Sequence, residues 1–291
     1  MPMKRSMIAR LLPGIASLAR GGSAGKIVLI GSAIVFSIVL MTVLSPWISP
    51  YDPSAINVGP VISPPSKRFP LGTNHLGQDM LSRVFSGGGV MLQVAVLSAF
   101  FCLIVGVPVG LLASYSGGIA DKAVSLVMDS FYAFPGLVLA IAIAAMLGRG
   151  TVNMALSIAV VYVPSYYRVV RSQVLTIREL PYTEAARAIG ARERTILLRY
   201  VLPNLVGSIV VVATVNFADA ILTAAGLTFV GLGVEKSIPD WGWDLTDGRG
   251  LLPSGAWWVI TFPGVMIVLL ALGFTLIGEG LSELLNPRLE Q

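Results

Sequence analysis

Residues 181–204 form a charged segment inside a strongly apolar sequence, and they read Pro-Tyr-Thr-Glu-Ala-Ala-Arg-Ala-Ile-Gly-Ala-Arg-Glu-Arg-Thr-Ile-Leu-Leu-Arg-Tyr-Val-Leu-Pro-Asn. Pro181 suits the first turn of a helix, and Glu184 complements the positive end of the helix dipole. Gly190 permits a break or a left-handed turn, and Pro203 marks the return to the apolar sequence. The segment therefore predicts a short helix, a glycine turn and a second helix, which we call the charged hairpin.

Both halves of the charged hairpin carry apolar residues at helical spacing. Ala185, Ala188 and Ile189 fall at i, i+3 and i+4 and form one face of small residues. After Gly190 the apolar positions are Ile196, Leu197, Tyr200 and Val201. The arginines are Arg187, Arg192, Arg194 and Arg199. From the residues alone, the simplest interpretation is a cytoplasmic helical hairpin that binds lipid headgroups through its arginines.

The composition of the 291-residue chain indicates a polytopic membrane protein. It is 55% hydrophobic and only 12% charged, whereas soluble domains contain about a quarter charged residues. The net charge of +5 is explained by basic residues on the inner side of a membrane rather than by nucleic-acid binding. The only cysteine, Cys102, excludes an intrachain disulfide, and the only histidine, His75, excludes a histidine-cluster metal site.

Six apolar runs are long enough to cross a bilayer, which predicts an all-α membrane protein with six transmembrane helices. The runs are 27–44, 90–113, 124–147, 154–170, 205–232 and 257–278. The predicted division is a basic leader at 1–26, a first transmembrane helix at 27–45, an extracytoplasmic loop at 46–88, a five-helix core at 89–281 and a tail at 282–291. The first run ends without an Ala-x-Ala cleavage site, so we predict an uncleaved span rather than a signal peptide.

Lysine and arginine concentrate on one side of this topology. The leader and the charged hairpin both carry several basic residues, and the loops predicted on the other side carry fewer. The positive-inside rule then places the amino terminus and the hairpin on the cytoplasmic side of the membrane.

The predicted outer loop contains the stretch 69–83, Phe-Pro-Leu-Gly-Thr-Asn-His-Leu-Gly-Gln-Asp-Met-Leu-Ser-Arg. Its glycines suit tight turns, its Asn and Asp residues suit turn capping, and Arg83 is within reach of Asp79. We favour a folded plug that shapes the rim over direct substrate contact. The motif residues are Gly72, Thr73, Asn74, Gly77 and Asp79.

Two acidic residues lie inside predicted spans. A carboxylate at mid-bilayer costs roughly 2.5–3.5 kcal/mol, so it usually faces the bundle or a watery path. Asp219, with Asn216 and Thr223 one turn away, forms a polar stripe that is a candidate lining of a pathway, and an interhelical hydrogen bond is the alternative. Asp129 is the second candidate, although it lies near the inner end of its span and can snorkel.

Nucleotide hydrolysis and acyl-transfer chemistry have no motif here. The chain lacks a Gly-x-x-x-x-Gly-Lys-Ser/Thr phosphate loop and a Gly-x-Ser-x-Gly elbow. An intramembrane serine hydrolase would depend on His75, which lies outside every predicted span. An ion-coupled carrier or channel remains a rival, but it gives no reason for the charged hairpin, and no internal repeat is visible. We therefore predict no catalytic residue, no metal and no cofactor in this chain.

Several stretches resemble a known family. Glu184-Ala185-Ala186, Gly190 and Leu202-Pro203 have the spacing of the EAA loop in permease subunits of ATP-binding-cassette importers, although Tyr200 replaces the usual aliphatic residue. Stretch 69–83 resembles the loop of the dipeptide, oligopeptide and nickel subgroup. Further similar stretches are 226–233, 239–242, 262–264 and 286–288. Lys236, Trp243 and Asp247 lie where the family varies.

The resemblance implies the permease fold of type I importers and an assembly of several chains in the plasma membrane of a bacterial cell. The expected partners are a sister permease, two ATP-binding subunits that hold ATP and Mg²⁺, and an extracytoplasmic binding protein that delivers a peptide. The residues expected to couple to the ATPase are Glu184, Ala185, Ala186, Arg187, Gly190, Arg192 and Arg194. Di- or oligopeptide is the favoured cargo, and a nickel chelate, haem or glutathione stays open.

Overall fold

The computed structural model describes residues 22–285, and within that range the protein is helical, with one isolated bridge between Thr73 and Asp79 as its only β-type pairing. The predictions for 1–21, most of the basic leader, and for 286–291, with the stretch 286–288, lie outside the described residues. In chain order the helices are α1 (Gly22–Ile48), α2 (Met80–Ser86), α3 (Gly88–Ser116), α4 (Gly118–Tyr132), α5 (Gly136–Leu147), α6 (Thr151–Ile177), α7 (Pro181–Ala188), α8 (Glu193–Ile196), α9 (Leu202–Phe229), α10 (Trp241–Leu251) and α11 (Trp258–Leu284).

The third predicted span is broken rather than continuous. Helices α4 and α5 meet at 92°, whereas the apolar run predicted one helix over 124–147. Pro135 precedes α5 in an extended conformation, with ψ of 120°. Proline lacks an N–H and restricts the residue before it, so a bend at this position is the expected local outcome.

Four described helical segments are long and apolar enough to cross a membrane, and the bent pair raises the number to five. We assign α6 as the sixth segment because its 27 residues extend roughly 40 Å at 1.5 Å per residue. The second half of α6 carries Arg168 and Arg171, which lowers its mean hydropathy. The all-α architecture therefore matches the prediction, with up to five of the six predicted spans supported by length and composition and α6 assigned by its length alone. The helices extend beyond most of the predicted runs.

Small residues set the closest helix contacts. A Cβ on Gly31 of α1 would lie 2.6 Å from the carbonyl oxygen of Gly273 in α11. Gly106 of α3 abuts Tyr166 of α6 in the same way, at 2.8 Å from the tyrosine Cβ. Glycine at such crossings lets backbones approach closely, as is common between helices in membranes. The pairs α1–α11 and α3–α6 frame the bundle, and α9 packs between them.

The main core lies where α3, α6, α9 and α11 meet. Met91, Met154, Ile158, Ile221 and Leu270 are fully buried there. The charged hairpin lies at one end of this bundle, because it leads directly into the first turn of α9. The other end carries a folded layer, called here the cap, which consists of residues 49–86 and 230–257.

Candidate coupling hairpin and pathway cavity

The charged hairpin has the geometry that its sequence predicts. Pro181 occupies the first turn of α7 and Glu184 lies in the same turn. Gly190 has a φ of +83°, and the backbone N–H of Gly190 donates to the Arg187 carbonyl at 3.0 Å. This left-handed residue ends α7 and sends the chain into α8. A π-helical turn over 197–201 then joins α8 to α9.

One face of the hairpin is anchored to the bundle. Thr183 is fully buried and its hydroxyl donates to the Ile177 carbonyl at 2.9 Å. Ala186 and Ile196 are buried against Val174 of α6. Ala186 therefore positions α7 rather than presenting a surface to a partner. Sequence reasoning did not single out Thr183, although a residue three positions before an inward alanine shares its helix face.

The opposite face of the hairpin is exposed. Ala185 and Ala188 face outward, and Ile189 is 84% exposed. These are the three residues of the predicted small-residue face, and no described residue covers them. The charged residues predicted for coupling are exposed as well, and they are Glu184, Arg187, Arg192 and Arg194. The hairpin therefore presents an apolar strip flanked by charge.

A second set of contacts ties the two hairpin helices to α3. Arg187 lies 3.4 Å from a carboxylate oxygen of Glu193, and the Tyr115 hydroxyl hydrogen-bonds to the other oxygen of Glu193. These residues and Arg178 line a cavity of about 600 Å³ beside the hairpin. Because both members of the Arg187–Glu193 pair are about half exposed, the pair contributes little to stability.

A larger cavity of about 780 Å³ lies between α6, α9 and the bend that joins α4 to α5. Asn216 and Asp219, the two residues of α9 proposed from the sequence as pathway lining, are among the residues that line this cavity. Asp129 is not among the lining residues. Its carboxylate is 61% exposed and lies 2.8 Å from the Arg168 guanidinium, which stacks 3.8 Å from the centre of the Tyr132 ring. The snorkelling arrangement describes Asp129 better than a lining role.

The polar stripe on α9 is connected to α6 by a hydroxyl pair. Thr223 donates to the backbone carbonyl of Asp219 at 2.8 Å, and its hydroxyl lies 3.0 Å from that of Tyr162. Tyr162 also lines the cavity, and sequence reasoning missed it because nothing in the pattern of α6 links it to α9. The alternative expected for Asp219 was an interhelical hydrogen bond. The bond from Thr223 lies within α9 and uses the Asp219 backbone, so it is not that bond, and it leaves the carboxylate free.

Stretch 69–83 is folded into the cap. Gly72 and Gly77 have φ of +77° and +66°, which agrees with the predicted turns. The Asn74 side chain accepts hydrogen bonds from the backbone N–H groups of Leu76 and Gln78. Asp79 is the N-cap of α2 and accepts from the Ser82 N–H at 2.9 Å. The Thr73 hydroxyl donates to the Pro60 carbonyl. These side chains serve the fold of the cap.

Arg83 forms a buried ion pair, but its partner is Asp244 of α10 at 2.7 Å. The predicted pairing with Asp79 is wrong, because Asp79 is used as the cap of α2. Burial raises the pKa of Asp244, and the adjacent Arg83 opposes that rise. Burial also raises the pKa of Asp240 to about 7. Local spacing carries no signal for the Arg83–Asp244 pair, since 161 positions separate its members.

One tryptophan joins the two segments of the cap, and a second attaches the cap to α11. The Trp241 indole N–H donates to the Val84 carbonyl at 3.0 Å, and the Trp258 indole N–H donates to the Thr73 carbonyl at 3.0 Å. Both rings are buried. The cap is thus held by directed hydrogen bonds between residues distant in sequence. Within residues 22–285, no group of three or more His, Cys, Asp or Glu side chains is arranged to hold a metal ion.

The comparisons with known proteins identify the family. Residues 106–291 match the model of the "binding-protein-dependent transport system inner membrane component", and residues 25–67 match the "N-terminal TM domain of oligopeptide transport permease C". The di/tripeptide transport permease of Pseudomonas aeruginosa is 40% identical over 87% of this chain and 85% of its own length. The dipeptide transport permease of Alkalihalophilus pseudofirmus is 37% identical over 91% and 87%.

A solved structure supports the same fold. A chain of the inward-facing MetNI methionine ABC transporter aligns with a TM-score of 0.55 and 21% identity, covering 71% of this chain and 98% of its own. At that identity the likeness concerns the fold alone. The chain belongs to the family of binding-protein-dependent transport system inner membrane components and is a multi-pass, non-catalytic permease subunit.

Proposed function

We propose that this chain forms half of the translocation pathway of an ATP-driven importer of di- and oligopeptides, and that the charged hairpin couples it to separate ATPase subunits. The observation that carries the proposal is the exposed strip of Ala185, Ala188 and Ile189 on a hairpin whose other face is anchored. An exposed apolar strip on an element whose other face packs against the bundle suits the docking of a partner.

The anchoring explains how movement passes from the hairpin to the membrane helices. Thr183 hydrogen-bonds to the end of α6, and the second half of the hairpin continues into α9. A push on α7 is therefore transmitted to two helices that line the larger cavity. Gly190, with its left-handed backbone, fixes the angle between the two arms of the hairpin.

The partners in this proposal are those expected of an importer of this family. A sister permease supplies the second half of the pathway, and two ATP-binding subunits bind ATP and Mg²⁺ and contact the charged hairpin. A binding protein delivers the ligand to the cap. The amino terminus and the hairpin lie in the cytoplasm, and the cap lies outside the plasma membrane, in agreement with the distribution of basic residues.

Peptide is the favoured cargo because the first relatives are named as dipeptide or di/tripeptide permeases. A glutathione permease of Pectobacterium atrosepticum is 37% identical over 82% of this chain and 78% of its own length, and it keeps glutathione as the alternative. Glutathione is itself a tripeptide, so a cavity for one suits the other in size and polarity. Nickel chelates and haem are the more distant alternatives.

The test is uptake of labelled cargo in cells that lack this chain and in cells where it is restored. We expect loss and rescue of dipeptide uptake, and the same assay with a pentapeptide, glutathione, haem and a nickel chelate separates the alternatives. Co-purification with an ATPase checks the coupling partner. If none of these cargoes is taken up, the proposed peptide cargo is refuted. If no ATPase co-purifies, the assignment as an ATP-driven importer is refuted and an ion-coupled carrier is favoured.

A further inference from the structure

Asp219 is the single charged residue among the described residues that line the larger cavity. No described lysine or arginine lies within 4.0 Å of it, although six pairs of a lysine or arginine with a carboxylate elsewhere in residues 22–285 are that close. A carboxylate in a span without a counter-ion is unfavourable. A cationic group that enters the cavity supplies the missing charge.

The neighbours of Asp219 leave its carboxylate without a hydrogen-bond partner. The Thr223 hydroxyl binds the backbone carbonyl of Asp219 rather than its carboxylate, and Tyr162 in turn contacts Thr223. The carboxylate therefore has no hydrogen bond from a described residue, and it is only partly buried. Its acceptor capacity is available to a ligand.

A second orphaned polar group lies one turn away. Asn216 is 7% exposed and lines the same cavity, and its side-chain Nδ2 has no hydrogen-bond acceptor among the described residues. The Tyr166 hydroxyl is close enough to the Asn216 amide to interact with it weakly, but the two groups form no hydrogen bond of ordinary geometry. Buried donors without acceptors are costly. A ligand with a cationic end and a carbonyl beside it offers a counter-ion to Asp219 and an acceptor to Asn216.

We propose that the Asp219–Asn216 pair is the site in this permease that takes the free α-ammonium group and first carbonyl of a peptide in transit. The inference rests on the proposed function, because a peptide is the cargo with those two groups side by side. Phe134 lines the same cavity, and an aromatic ring tolerates both a cation and an apolar side chain. Binding here selects for a free amino terminus within the membrane.

The test measures protection of a thiol placed beside Asp219 by the substitution Val215→Cys. Val215 lies one helical turn from Asp219, lines the cavity and is 38% exposed. The only native cysteine of this chain, Cys102, is 2% exposed, so the complex with the unchanged chain gives the background rate of alkylation. The rate of alkylation by N-ethylmaleimide is measured on the whole purified complex, with Ala-Phe or N-acetyl-Ala-Phe added.

We expect Ala-Phe to slow alkylation of the thiol introduced by Val215→Cys and N-acetyl-Ala-Phe not to do so. Adding Asp219→Asn raises the concentration of Ala-Phe needed for half-maximal protection about tenfold or more, because a hydrogen bond to a charged group is lost. Adding Asp219→Glu keeps the carboxylate and the protection. Asp52→Asn in the cap is the matched control, because Asp52 is exposed and is not one of the residues that line the cavity.

Equal protection by both peptides, or protection that survives Asp219→Asn, overturns the ammonium site. So does an introduced thiol that is not alkylated at all, because the site must be open to water. Uptake of Ala-Phe by the unmodified complex is measured in parallel. If uptake persists while protection fails, only this inference falls. If uptake is absent, the proposed function falls separately.

Discussion

The cap and the charged hairpin lie at opposite ends of the same helices and are built in different ways. The cap buries an ion pair, Arg83 with Asp244, and fixes two tryptophans by hydrogen bonds across long sequence distances. The hairpin buries one narrow face and leaves its charges and its apolar strip exposed. One end of the protein is therefore consolidated by its own contacts, and the other keeps its contacts available for a partner.

This contrast indicates that the cap moves as one rigid unit, whereas the hairpin can be displaced by a partner. Residues of the cap contact one another through groups that cannot separate without leaving a buried charge or donor unpaired. The hairpin has only a small buried cluster and the Thr183 hydrogen bond to hold it. Four experiments, ordered by decreasing loss of stability, test this contrast.

Substitution of Arg83 should cost the most stability. Arg83→Met leaves Asp244 buried without its counter-ion, which destabilises by about 3–5 kcal/mol, and it removes the hydrogen bonds to Gln78 and Pro53. We expect the thermal unfolding midpoint and the amount of protein in the membrane to fall strongly.

The double substitution Arg83→Met with Asp244→Leu is the control. Replacement of a buried ion pair by apolar residues of similar volume is often neutral, so the double variant should recover most of the lost stability. A double variant no better than the single one would mean that the pair is not the source of the stability of the cap.

Replacing one glycine in the cap and one in the hairpin by alanine compares the stability of the two regions at positions with the same backbone conformation. Gly72 of the cap and Gly190 of the hairpin have φ of +77° and +83°. A Cβ on Gly72 would lie 2.7 Å from both the Ser63 oxygen and the Trp258 indole nitrogen, whereas no described atom lies within 4 Å of one on Gly190. We expect Gly190→Ala to cost about 1 kcal/mol of strain, and Gly72→Ala to cost about 1–3 kcal/mol more from overpacking.

Thermal unfolding of the two purified variants measures the difference directly. Equal losses would show that the space around Gly72 is not restrictive, and the proposed rigidity of the cap would then lose its support. Uptake separates the two sites further, because Gly190→Ala also alters the angle between the arms of the hairpin. We expect its uptake to fall more than its stability.

The pH dependence of stability concerns Asp240, which caps α10 by accepting from the Trp243 N–H. Burial raises its pKa to about 7 from a usual value of about 3.9. Between these values the folded protein holds a proton that the unfolded chain has released, so stability falls as pH rises from about 4 to about 7 and is level above. The neighbouring Asp244 and Arg83 act on the same carboxyl.

Asp240→Asn keeps the cap acceptor and removes the titration. We expect the unfolding midpoint of this variant to depend less on pH, between about pH 5 and about pH 7.5, than that of the unchanged protein. A remaining slope should come from Asp244, whose pKa burial also raises. Parallel pH profiles for the two proteins would contradict the assignment.

Local signals predicted the hairpin and the turns of the cap. Proline at the first turn and a left-handed glycine act on their sequence neighbours, so Pro181 and Gly190 could be assigned from spacing alone. Asp79 was predicted to cap a turn, and it caps helix α2. The bend before α5 was missed although Pro135 was visible, because a proline within an apolar run is also compatible with a kinked but continuous helix.

Tertiary pairings could not be predicted in the same way. The partners of Arg83 and Trp258 lie 161 and 185 positions away, and nothing in one sequence specifies such distances. The orientation of α7 about its own axis could not be predicted either. Alanine fits either a buried or an exposed face, so spacing alone did not show that Ala186 faces inward while Ala185 and Ala188 face outward.

Ile189→Ser should have almost no effect on stability and a large effect on transport. Ile189 is 84% exposed, so its loss removes no packing within this chain, and surface substitutions of this kind usually change stability by less than about 0.5 kcal/mol. In the proposed complex the side chain fills a partner surface, so uptake and co-purification of the ATPase should both decrease. Val61→Ser, at a 56% exposed position of the cap, is the matched control and should alter neither. If Ile189→Ser transports normally, the strip does not dock, and the arginines of the hairpin are then its contact with lipid headgroups.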